Sequence, residues 1–184
     1  MILRNSAVVL AFTFLTTFRF ACAGDAPDSS RQAKLDDGYS LLYKLMNDEK
    51  QVELILMVKT TPPKVGAFIK RISEQARDDV DLLDRFHTHD PHLRFDKVSL
   101  PQVELDVRAS IRAEKQHNLL YGQTGDDFAR YLLITQIEAS SYASNLAKVL
   151  AATDPNAARV RALSKMAARW GTIRDGAYSQ LKGF

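Results

Sequence analysis

"GDDFARYLLITQIEASSYASNLAKVLAA", residues 125–152, decides the fold class. Phe128, Leu132, Thr135, Ala139, Tyr142, Leu146 and Val149 recur every three or four residues, the spacing of one face of an α-helix. Beside them runs a second row that is also mostly apolar or small: Ala129, Leu133, Gln136, Ser140, Ala143, Ala147 and Leu150. A helix apolar on two faces needs partners on both. The stretch therefore predicts a central helix over 126–151. Glu138 shares a further row with Tyr131, Ser141, Asn145 and Lys148, which reads as the wet side.

The partners lie on either side. "TTPPK" (60–64) predicts a threonine cap with proline in the first turn of a helix. That helix carries Val65, Phe68, Ile69, Ile72, Ala76, Val80, Leu83 and Phe86 as one stripe, with Lys70, Arg71, Glu74, Asp78 and Asp81 away from it. An earlier helix is expected over 39–59, with Leu41, Leu45, Val52 and Ile55 at heptad-like spacing, after a polar lead-in over 24–38. "HTHDPHLRFDKVS" (87–99) has no period and reads as a connection. Ser99 and Pro101 then open a helix over 100–121, ended by the glycines of "GQTGDD" (122–127). "TDPN" (153–156) restarts the chain with Asp154 before Pro155. The last helix carries Val160, Leu163, Ala167, Trp170, Ile173, Ala177 and Leu181. Short turns favour antiparallel neighbours. The expected architecture is all-α: a single domain over 39–184, an antiparallel up-down helical bundle with one additional helix. Tyr43, Phe68, Tyr142, Met166 and Trp170 lie on or beside the apolar stripes and are expected to pack in the core.

Residues 125–140 also resemble a motif of an exported bacterial ferritin-like family, a domain of unknown function. That motif has a glycine, a phenylalanine three later, a glutamine eight beyond it and a histidine four further on. Gly125, Phe128 and Gln136 match; Ser140 stands at the histidine position and Ala129 where an acid usually follows the phenylalanine. In arrangement the resemblance extends over about 39–183. It implies a ferritin-like bundle and supplies no activity.

The chain opens "MILRNSAVVLAFTFLTTFRFACAGDAP". Arg4, the apolar run 6–17 and the small-x-small triplet Ala21-Cys22-Ala23 have the layout of a signal peptide over 1–23. Arg19 interrupts a stretch already shorter than the roughly 20 apolar residues needed to span a bilayer. A second reading acylates Cys22 as a lipoprotein, with Arg19 standing where such signals carry an aliphatic residue. Cys22 is the only cysteine, so a chain cut after Ala23 has no disulfide, thiolate site or haem-attachment motif. The 25 Lys+Arg less Arg4 and Arg19 leave 23 against 22 Asp+Glu, a net charge of +1 rather than +3. That balance argues against a nucleic-acid binder. The expected protein is periplasmic or secreted, with no transmembrane segment in its mature part and an envelope protein as candidate partner.

Two groups of residues are candidates for metal chemistry. Glu114 and His117, in "EKQH" (114–117), have the Glu-x-x-His spacing of carboxylate-bridged di-metal bundles. Glu53 could join them. Such a centre needs about four carboxylates and two histidines pointing inward. Here the second helix has Arg77 three after Glu74, and the fourth has Ser141 three after Glu138. The opening pair therefore reads as an ordinary helix-surface pair. "HTHDPH" gathers His87, His89 and His92 with Asp90, donors that suit Zn²⁺, Cu²⁺ or Ni²⁺. Haem held by Met46 or Met57 lacks a histidine on the final helix. No nucleophile elbow, phosphate loop or dinucleotide fingerprint is present. The expectation is a binding or structural module of the cell envelope without a functioning metal centre, with no cofactor and no catalytic residues. The alternative is a metal-binding ferritin-like protein or oxidoreductase using Glu53/Glu114/His117 or the His87/His89/His92 loop.

Overall fold

The computed structural model describes residues 26–96 and 98–184, with side chains from residue 29. The expected signal peptide lies outside these residues. Five α-helices follow one another: α1 Ala26–Glu49, α2 Pro63–His89, α3 Gln102–Tyr121, α4 Gly125–Thr153 and α5 Ala157–Leu181. A 3₁₀ helix, Val52–Met57, links α1 to α2. There is no strand among the described residues, so the all-α expectation holds. No helix among them is long and apolar enough to cross a membrane.

The core is one cluster fed by α1, α2, α4 and α5. α4 is its centre, packing most extensively on α5 and also on α1. Twelve of its residues are buried, including Phe128, Ala129, Leu132, Leu133, Gln136, Ser140, Ala143, Ala147 and Leu150. The second row is thus buried throughout. The first row is not: it turns outward in its last half, where Tyr142 is 37% and Val149 62% exposed and Leu146 is half-buried. Gly125 opens α4 at φ +60°, a left-handed conformation that favours glycine. Phe68, Met166 and Trp170 are buried as expected, and Tyr43 packs half-buried against the core.

Several local expectations need correction. α1 begins at Ala26 and ends at Glu49, so most of the polar lead-in is helical and the helix stops ten residues early. Its buried row is Leu35, Tyr39, Leu42 and Met46, with Leu41 and Leu45 only half-buried. Gly38 sits inside this helix against α4, where an added Cβ would stand 2.7 Å from Leu150 Cδ2. α2 starts after Pro62 with no side-chain cap. α5 is capped by Asn156, whose Oδ1 accepts from the amides of Ala158 (2.9 Å) and Arg159 (3.2 Å). Asp154 instead ends α4 and bonds elsewhere. α2 continues to His89, so the connection is only residues 90–101. Two of its residues anchor it to the core: Leu93 is buried and the Phe95 ring stacks on Tyr39 at 5.5 Å.

α3 is the additional helix. It has no buried residue. Polar contacts hold it to the bundle: Arg112 to Asp48 at 3.1 Å, Arg108 to the Tyr142 hydroxyl at 3.4 Å, Asn118 to the Tyr131 hydroxyl at 3.5 Å, and Lys115 to Glu138. Half-buried Leu119 adds an apolar contact.

Candidate functional site

Buried polar residues interrupt the core at one level of the bundle. Met46 is the last buried apolar residue of α1, and Glu49 continues its row three residues on. The stem of Glu49 is half-buried, but its Oε2 is shut off from solvent and has no hydrogen-bond partner. The side chain of Gln136 of α4, 3% exposed, lies beside this carboxyl, and its own Oε1 is buried without a partner. Ser140, one turn further along α4, donates its hydroxyl to the backbone carbonyl of Gln136. Ser73 of α2 donates to the Lys50 carbonyl that follows Glu49. Burial pushes the Glu49 carboxyl up to about 7; the neighbouring Gln136 amide opposes this, Asp48 adds to it and Lys115 subtracts. Two surface grooves flank the 3₁₀ helix, and neither is lined by Glu49 or Gln136.

Two further buried carboxylates are fully engaged. Asp79, on α2, accepts the Trp170 indole N–H at 2.8 Å and Arg169 Nη2 at 2.6 Å. Burial raises its pKa, against the pull of Arg169 and Trp170. Asp154 receives Arg159 Nε at 2.7 Å, Arg159 Nη2 at 2.9 Å and the Tyr39 hydroxyl at 2.5 Å. Arg159 also reaches Asp90 at 2.7 Å, tying the end of α2 to the α4–α5 turn. Burial works against ionised Asp154, but the bonds from Arg159, Tyr39 and the Asn156 amide outweigh it and hold its pKa low. The same cluster raises the Tyr39 pKa, by burial first and then by Asp154. These groups staple helices together and leave no carboxylate oxygen open to a ligand.

The residues singled out from sequence do not converge. Glu114 and His117 are exposed on α3, where the His117 ring lies 5.5 Å from Tyr121. Glu53 stands on the 3₁₀ helix and pairs with Arg77 of α2. His87 and His89 occupy the last turn of α2; two residues apart on a helix, they point to different sides. His87 Nδ1 bonds the Leu93 carbonyl at 2.8 Å, and His89 Nδ1 bonds the Arg85 carbonyl at 2.7 Å. His92 lies exposed in the connection. Among the described residues, no group of three or more His, Cys, Asp or Glu is arranged to hold a metal ion.

Sequence reasoning missed Glu49, Asp79 and Arg159. Spacing could have found two of them. Asp79 falls between Ala76 and Leu83 on the α2 stripe, and Glu49 follows Leu35, Tyr39, Leu42 and Met46 in strict alternation of four and three. Comparison of the chain with protein-family models, curated proteins and solved structures finds no match.

Proposed function

We propose that this chain is an exported, ferritin-like, up-down bundle that serves as a binding or structural module of the cell envelope, without a functioning metal centre. The observation that carries the reading is the donor set inside the bundle. A di-metal centre needs about four carboxylates and two histidines facing one another. Here Ser73, Gln136, Ser140 and Ser144 hold inner polar positions, the buried carboxylates Asp79 and Asp154 are taken up by Arg169, Trp170, Arg159 and Tyr39, and Glu49 brings one more carboxyl. All four histidines are exposed.

The sense of the helix contacts supports a ferritin-like arrangement. Tyr39 meets Phe86 while Lys50 meets Ser73, so α1 and α2 run oppositely. Asp79 meets Trp170 and Asp90 meets Arg159 across α2 and α5; Ser144 meets Ala167 and Arg130 meets Phe184 across α4 and α5. α3 then serves as the crossover between two helical hairpins. A binding role draws support from α3 itself, which exposes Val103 (69%), Val107 (48%) and Ile111 (48%) on one flank.

The test is metal content, measured on untagged protein purified from its own host, together with N-terminal sequencing. The expected results are no stoichiometric metal and a start at Gly24 or Asp25. Stoichiometric iron, manganese or copper would favour the metal-binding alternative, and an acylated Cys22 would replace the soluble form with a lipoprotein.

A further inference from the structure

We propose that Glu49 and Gln136 form a proton-binding site: a closed carboxylic acid–carboxamide pair in which Glu49 Oε2–H donates to Gln136 Oε1 and Gln136 Nε2–H donates to Glu49. The hydrogen-bonding valence of the two groups requires the extra proton. An ionised carboxylate offers only acceptors, and a carboxamide offers one acceptor oxygen and one donor nitrogen. Set face to face, they make one hydrogen bond and leave one oxygen on each side without a donor. In this structure Glu49 Oε2 and Gln136 Oε1 are both buried with no hydrogen-bond partner, one oxygen on each side as such a pair requires. Turning the amide over changes which carboxylate oxygen is left out, but not the count. One added proton satisfies both atoms.

A metal ion would not. Zinc takes four donors and calcium six to eight. Among the described residues Glu49 belongs to no group of three or more His, Cys, Asp or Glu that could hold an ion, and Ser140 donates its proton within its own helix. The charged groups facing the site are already engaged. On α1, Asp48 pairs with Arg112 of α3; from α3, Lys115 pairs with Glu138 of α4. On α2, Arg77 is held by Glu53 and bonds Ser73. None of these cations neutralises Glu49 directly, so desolvation is answered by protonation.

The consequence is a stability that depends on pH in an unusual direction. Burial lifts the folded-state pKa to about 7, above the ordinary 4.5 of an unfolded chain. The folded protein then binds a proton that the unfolded chain has released. Stability from this group is fully present below about pH 4.5 and is lost as pH rises through about 7. Over that window the unfolding equilibrium constant gains up to roughly 300-fold.

The full chain, labelled with ¹³C and with Glu49 Cδ assigned through its backbone, is titrated by NMR. A midpoint near 7 supports the site; an ordinary glutamate midpoint overturns it. Urea melts of wild type and Glu49→Gln over the same range give a second reading. The wild type should lose stability with rising pH, and the variant, which has no proton to release, should lose much less. Equal slopes would overturn the proposal. Repeating the titration with calcium, magnesium or sodium chloride separates the occupants: a Glu49 midpoint shifted by the divalent ions beyond the sodium control would mean that a cation, not a proton, fills the site.

Discussion

α3 and α4 are neighbours in the chain and opposites in the molecule. Both carry apolar residues at helical spacing, and neither has a side-chain cap at its start. α4 buries twelve residues and α3 none. Periodicity establishes that a helix can form with an apolar flank; it does not establish that the flank is covered. What covers α4 is the return of α5 over a three-residue turn on one side and α1 on the other. α3 meets the bundle through arginine, lysine and asparagine, whose exposed ion pairs contribute little.

Substitutions at the two helices should separate them sharply. The largest effect is expected at the end of α4. Asp154→Ala leaves Arg159 buried beside an empty position and should destabilise by about 3–5 kcal/mol, measured by urea unfolding at neutral pH. Because the folded-state pKa of Asp154 is lowered, its contribution is present above the unfolded value and fades as pH falls through the folded one. The variant should therefore lose its deficit in acid; a deficit constant with pH would mean that the carboxylate charge is irrelevant there.

Next comes the α4 core. Leu133→Ala, at a fully buried position, should lose about 2–5 kcal/mol. Leu146→Ala should lose less than Leu133→Ala, since that side chain is half-buried. On α3, Val107→Ser should stay within about 0.5 kcal/mol. A Val107→Ser loss as large as that of Leu133→Ala would show α3 to be part of the core and erase the contrast.

Two smaller effects sharpen it. Glu138→Ala breaks the exposed bridge from α4 to Lys115 and should change stability by no more than about 0.5 kcal/mol. It should nonetheless speed amide exchange in α3 and leave α4 unchanged, which hydrogen-exchange mass spectrometry can read. His117→Ala, on the exposed side of α3, should cost only a few tenths of a kcal/mol. Loss of folding in that variant would contradict its place on the surface.

The same contrast separates what is legible in the sequence from what is not. The stripes of α2, α4 and α5 are legible because a long apolar row at 3.6 spacing fits a helix and fits neither a strand nor a loop. The start of α1 is not: between Asp25 and Lys34 there is only polar sequence with two alanines and a proline, and Gly38 masks the continuity of Leu35 with Tyr39. The caps mislead because Thr60, Thr61 and Asp154 are good capping residues by type, yet Pro62 and Asn156 hold the cap positions. The Glu-x-x-His pair is legible as a spacing, but its side of the helix depends on which flank of α3 the bundle leaves uncovered. Glu49 lies in the polar run Asn47–Gln51, and its inward turn is legible only once the row Leu35, Tyr39, Leu42 and Met46 is taken as the buried one in place of Leu41 and Leu45.

Because α3 buries no residue in the core that α1, α2, α4 and α5 build, its part in the fold is that of a connection between α2 and α4. For a flexible connection closure entropy grows only logarithmically with length, so each doubling by flexible residues costs about 0.6 kcal/mol. The α4–α5 contacts are local in sequence, whereas those joining α1 to α4 must close over the 3₁₀ helix, α2 and α3. Flexible residues added between α2 and α4 should therefore cost the core little, while a longer connection slows the meeting of α1 with α4 during folding.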